Sequence, residues 1–210
     1  MKKNAYITLP AIFLFFLMAL CLTASSALAQ EMGKDMGMNG SDSHMMMASE
    51  KNGSAETHMA KGEAIIKGTA LDPAIEGTAT FEDTPEGLQV HIALSHVAGA
   101  GKHGIHIHAA GDCGDNGKNT GGHFNPLGVQ HGLLTKDGLQ GAHVGDMGNI
   151  TVKDDGTAEM TTVLPGVKLA SGNLSVAGRA VILHAKEDDF GQPTGNAGGR
   201  IACGPIIVTK

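Results

Sequence analysis

Apolar and polar positions divide this chain into three regimes. An unbroken apolar run, Ala11 to Leu22, follows Lys2 and Lys3 near the N-terminus. Residues 30–60 carry no apolar period. From Lys61 onward, short apolar stretches recur with a period of two. In Leu88-Gln89-Val90-His91-Ile92-Ala93-Leu94 every second residue is a large aliphatic, which predicts a strand with one buried face. Gly104 to His108 alternates in the same way. Further strands are predicted at Ala64 to Gly68, Gly77 to Phe81, Gly148 to Val152, Thr157 to Val163, Val176 to His184 and Ile201 to Val208, eight in all. Asp154-Asp155-Gly156, Pro165-Gly166 and Ser171-Gly172-Asn173 punctuate them as turns. No long segment shows a helical period. The expected fold class is all-β, an antiparallel sandwich or barrel.

The N-terminal run reads as a secretory signal peptide. Two lysines precede it, and Ala27-Leu28-Ala29 supplies the small residues of a cleavage site after Ala29. The alternative, an uncleaved anchor, has a run shorter than the ~20 residues a bilayer needs. Lipoprotein processing at Cys21 is disfavoured by the bulky Leu20 before it. The domain plan is therefore signal peptide 1–29, extension 30–60 and folded domain 61–210. The mature chain is expected to be periplasmic or secreted, with no stable membrane association.

Charge and composition narrow the functions. The formal charge is −6. Cleavage after Ala29 would leave 13 basic against 21 acidic side chains, or −8. Only seven aromatics occur, six Phe and one Tyr, and four lie before residue 17. Neither a basic surface nor a base-stacking platform is available, which excludes nucleic acid as a partner. Two cysteines remain after cleavage, Cys113 and Cys203. An even pair in an exported chain predicts a disulfide, the alternative being two free thiols. Closing a loop of roughly 90 residues would contribute about 4–5 kcal/mol in the chain-entropy account. The extension is polar and predicted disordered. It contains Met32, Met36, Met38, Met45, Met46, Met47 and Met59 with His44 and His58. Thioethers suit Cu(I), so it is either a weak tail that collects copper from a donor or a plain solvated linker.

Between Ala109 and Asp146 the strand rhythm stops, and Gly, Asp, Asn and His dominate. A loop that long needs something other than a hydrophobic core to hold it; a metal would do so. His106 and His108 stand two apart on a predicted strand, so they share a face. His123, His131, His143 and Asp146 make a four-coordinate zinc set. His184 ends the apolar run Ala180-Val181-Ile182-Leu183 and could join the first pair.

Several stretches together closely resemble the copper/zinc superoxide dismutases. They are His103-Gly104-Ile105-His106-Ile107-His108, Gly121-Gly122-His123-Phe124-Asn125-Pro126, His143-Val144-Gly145-Asp146, Gly178-Arg179 with His184, and Gly195 to Gly204. The resemblance runs from about Ala64 to Val208. It implies an eight-stranded Greek-key barrel with a long metal-binding loop, and the disproportionation of superoxide. It implies copper on His106, His108, His123 and His184. It implies zinc on His123, His131, His143 and Asp146, with His123 shared and carrying a proton in the cycle. Arg200 would attract the anionic substrate, and Asp188 would link a copper ligand to a zinc ligand. Cys113 and Cys203 would form the disulfide tying the long loop to the last strand. The spacing of Cys113 after His108 is that of bacterial members, whereas His123 to Asp146 follows the eukaryotic pattern. The loop 185–199 is short, with Lys186 its only lysine. Bacterial and eukaryotic members pair through different surfaces, so both a homodimer and a monomer stay open. Two other readings are a copper-binding protein without turnover and a sandwich whose histidines hold zinc alone; the presence of every copper-site histidine and of Arg200 weighs against them.

Overall fold

A computed structural model describes residues 59–210. The signal peptide and all of the extension except Met59 and Ala60 lie outside the described residues. The strands are β1 (Lys61–Gly68), β2 (Glu76–Thr84), β3 (Gly87–Ser95), β4 (Gly101–His108), β5 (Asp146–Val152), β6 (Ala158–Pro165), β7 (Ala180–His184), β8 (Arg200–Pro205) and β9 (Ile207–Thr209). All the strand pairings are antiparallel. The order is β2-β3-β6-β5-β4-β7-β8-β1-β9, and β2 also pairs with β1. That last pairing closes β1 to β8 into a barrel, and β9 is an extra strand on β1. β3 lies between β2 and β6, and β4 between β5 and β7, so neither is flanked by the other although they follow one another in sequence; this non-sequential order is the Greek-key signature.

Period-two alternation explains the core. On β3, Leu88, Val90, Ile92 and Leu94 are buried while Gln89 is exposed. Facing side chains such as Ile66, Phe81, Ile150 and Leu164 fill the interior. β4 departs from one-sided burial. Ile105 and Ile107 point into the core, yet His106 and His108 on the opposite face are also buried, at 0% and 1% exposure. Two loops cover that outer face: 109–145, between β4 and β5, and 185–199, between β7 and β8. Cys113 and Cys203 are disulfide-bonded, with Cα atoms 5.8 Å apart. They pack with Ala180 and Ile182 in a small apolar cluster outside the barrel.

Three details differ from the pattern-based expectation. The last predicted strand divides at Ile206, directly after Pro205, which has no N–H to donate. Ile206 instead bonds Arg179 and Gly178, and β9 restarts against the beginning of β1. The strand expected from Val176 begins only at Ala180, because Gly178 takes φ 76° and turns the chain. The long loop contains a short helix, α1 (Leu134–Gly141), broken by Gly138 at φ 66°. A helix so short and interrupted leaves no periodic signature.

Candidate metal centre

Of the sequence-predicted site residues, His106, His108, Asp146, His184 and Arg200 lie on barrel strands, and His123, His131, His143 and Asp188 lie on the two loops that cover β4. β4 presents His106 and His108 side by side, and β7 ends in His184 next to them. His123 pairs with His108 through an isolated bridge that lays the long loop back along β4. His131 and His143 flank α1, and Asp146 opens β5. The result is two groups in which one ligand atom per residue lies within 4.8 Å of the others. One is His106, His108, His123 and His184; the other is His123, His131, His143 and Asp146. Every member is buried.

The hydrogen bonds set where the lone pairs point. His106 Nε2 donates to Asp188 Oδ2 at 2.7 Å. His108 Nδ1 donates to the Gly121 carbonyl at 2.9 Å, and His184 Nδ1 to the Gly198 carbonyl at 3.2 Å. Carbonyls and carboxylates only accept, so each ring carries its proton on that outer nitrogen. The inner nitrogens are then acceptors without donors. His106 Nδ1 is buried with no partner, and His108 Nε2 faces His184 Nε2 at 3.3 Å. Buried acceptors converging on one another are costly unless a cation lies between them. This donor set fits copper, for which imidazole is a good ligand.

The second group is built around a carboxylate. Asp146 accepts from His123 Nδ1 and His131 Nδ1 at 2.8 Å each and from His143 Nδ1 at 3.1 Å. The N–H groups of Gly132 and His143 also donate to it. Three imidazoles and one carboxylate fit zinc. Asp188 joins the two groups: it accepts from His106 and, at 2.9 Å, from His131 Nε2. Asn149 on β5 holds the Asp188 main chain at both its N–H and its carbonyl.

The sequence model of the family described as copper/zinc superoxide dismutase (SODC) matches residues 75–206. This chain belongs to that family. A solved structure similar to it is that of the clock protein EA4. Identity is 33%, with 73% of this chain and 97% of that chain covered, at a TM-score of 0.64. The clock designation is that relative's own.

Copper/zinc superoxide dismutases act on an anion, so the charge near the first group matters. Arg200, at the start of β8, donates through Nη1 to the Gly117 carbonyl and to Thr120 Oγ1, and through Nη2 to the Gly121 carbonyl. Three of its five N–H groups are thereby committed, and two remain. Burial pushes His108 down to about 2 and His184 to about 3, with the Arg200 charge adding to both. Burial also lowers His123 to about 4, against the opposing bond to Asp146. His131 behaves oppositely: burial lowers it, but the bonds to Asp146 and Asp188 prevail and raise it to about 9. Those imidazole contacts hold both Asp146 and Asp188 well below the ordinary carboxylate range despite burial.

Two features were missed from the sequence. A cleft of about 370 Å³ beside Arg200 is lined by Leu71, Asn116, Lys118, Gly198 and Gly199. Lys118 thus lines the cleft with Arg200 from the long loop, a cation outside loop 185–199, whose only lysine is Lys186. Asn149 was also unmarked, because a surface-type amide on a strand has no spacing signature. His103, outside both ligand groups, bonds the His184 and Gly99 carbonyls at 2.9 Å each.

Proposed function

We propose that this chain disproportionates superoxide, two superoxide anions and two protons giving dioxygen and hydrogen peroxide. His106, His108, His123 and His184 would hold copper. His123, His131, His143 and Asp146 would hold zinc, with His123 serving both. The observation that carries the reading is the convergence of acceptor nitrogens, His106 Nδ1 without a partner and His108 Nε2 facing His184 Nε2 at 3.3 Å. When bound, copper supplies a one-electron couple and zinc a redox-inert charge.

The chain's own residues do the rest. His108 and His184 stay neutral at ordinary pH, so their lone pairs are available without first losing a proton. Asp188 and the Gly121 and Gly198 carbonyls fix the rings by their outer nitrogens, which holds the inner ones in place. His123 lies between the groups and is the imidazole suited to hand on a proton. Arg200 stays charged, is pinned on one side by loop oxygens, and offers its remaining N–H groups to a small anion. The net charge of −6 opposes an anionic substrate, so this local cation sets the approach.

The disulfide fits an oxidising compartment. With the signal-peptide reading of residues 1–29 it supports a periplasmic or secreted protein in antioxidant defence. Residues 30–60 would collect copper for the barrel. The test is metal analysis with a superoxide assay on the mature chain. We expect turnover in the copper- and zinc-loaded protein and none in His184→Ala, with the fold kept by circular dichroism. Retained turnover in copper-loaded His184→Ala would overturn the assignment.

A further inference from the structure

The loop between β7 and β8 meets the zinc-side group twice. Asp188 touches the His131 ring, as described. Four residues on, Gln192 reaches the main chain of His131. Its Oε1 accepts the His131 N–H at 3.0 Å, and its Nε2 donates to the His131 carbonyl at 2.8 Å. One side-chain amide thereby satisfies both backbone groups of one residue, the service a neighbouring strand performs in a sheet. His131 lies in no strand or helix. Among the described residues no backbone group bonds its N–H or carbonyl.

The loop is closely fitted at this point. A Cβ on Gly195 would lie 1.8 Å from Asp188 Oδ1 and 2.7 Å from His131 Nε2. The Phe190 ring stacks on His131, with centroids 6.2 Å apart and planes 19° apart. Asn149 clips Asp188 as Gln192 clips His131, and those two residues bond each other. The order of a short loop therefore reaches His131 along two hydrogen-bonded paths, one to its ring and one to its main chain.

We infer that Gln192 is a positioning residue for the zinc side. It fixes the main chain of His131 so that the ring is preset between Asp146 and Asp188. The inference rests on His131 as a zinc ligand. Gln192 is itself exposed, so truncating it opens no cavity, and water can solvate the released His131 groups. Its role is therefore separable from folding.

The experiment measures zinc affinity of the disulfide-intact mature chain by competition with a chromophoric chelator. Gln192→Ala and Gln192→Met, the latter keeping the length without the hydrogen bonds, should each bind zinc about 10- to 100-fold more weakly, as is usual when a ligand's outer partner is lost. Copper affinity should stay essentially unchanged, because Gln192 bonds His131 and no member of the His106, His108 and His184 group. Gln192→Glu keeps the acceptor for the His131 N–H and should fall between. Cobalt(II) bound in place of zinc should show shifted visible bands in Gln192→Ala. Zinc affinity unchanged in both Ala and Met variants, while His131→Ala loses zinc, would overturn the inference. So would a lowered melting temperature of the zinc-free chain with affinity intact. Unchanged affinity in His131→Ala would instead remove the zinc assignment on which it stands.

Discussion

The two halves of the metal centre use the same side chain to opposite effect. On the proposed copper side, imidazoles surround one another, with Asp188 bonded only from behind. Their lone pairs converge, and burial keeps His108 and His184 uncharged. On the proposed zinc side, Asp146 sits among three ring N–H groups, and His131 holds a proton between two carboxylates. Without metal, that proton completes the zinc side as a hydrogen-bonded ionic cluster. Nothing comparable completes the copper side. Histidine is one building block here, and the position of the nearest carboxylate decides whether it forms a prefolded knot or an open receptor.

The largest expected break of this contrast is Asp146→Asn. It removes the anion from a buried cluster and leaves the His131 charge half-paired, a change that typically costs about 3–5 kcal/mol. Denaturant unfolding of the metal-free chain should show it. His184→Ala in the same assay should cost about 1 kcal/mol or less, because it removes one of two facing acceptors along with its hydrogen bond. Equal losses would erase the distinction.

Arg200→Ala should slow superoxide removal while both metals stay bound. Loss of a charge-assisted hydrogen bond, worth about 1.5–3 kcal/mol, corresponds to about ten- to a hundredfold in kcat/KM. Metal loss from this variant would mean that Arg200 braces the loop rather than meeting the substrate.

Protons sharpen the comparison further. At pH 7, zinc added to the metal-free chain should release about one proton, from His131, whose value lies near 9. Copper added alone should release none. Calorimetry in buffers of different ionisation enthalpy reads both. Stability should follow the same logic. His131 is raised, so its contribution is complete below about 6.5 and is lost as pH climbs through about 9. His108, His184 and His123 are lowered, so the unfolded chain gains protons that the folded chain refuses as pH drops below about 6.5. The melting temperature of the metal-free protein should fall on both sides of that window. The smallest effect concerns residues 30–60. Their deletion should leave activity unchanged when copper is plentiful and lower it when copper is scarce; equal activity under scarcity would make the segment a linker.

The barrel was legible because a half-buried strand must alternate, and Leu88 to Leu94 shows that directly; Gly104 to His108 alternates in residue type although both its faces are buried. The convergence of the two side-chain groups was legible through motif resemblance. His123, His131 and His143 share no element, and no periodicity could have joined them. Gln192 and Asn149 stayed hidden because their partners lie 61 and 39 residues away and amides of this kind occur on any surface. The stop at Pro205 was readable in principle from its missing donor, whereas α1 was not, being cut short at Gly138.

β4 has one further consequence. Its inward isoleucines and its outward histidines alternate on a single backbone, so interior packing and the geometry of the proposed copper site share one mechanical support. A change at Ile105 or Ile107 chosen to repack the interior would shift the seats of His106 and His108 by fractions of an ångström. Selection for robustness and selection for reactivity would then act on the same few atoms, and an engineer could not adjust one without retuning the other.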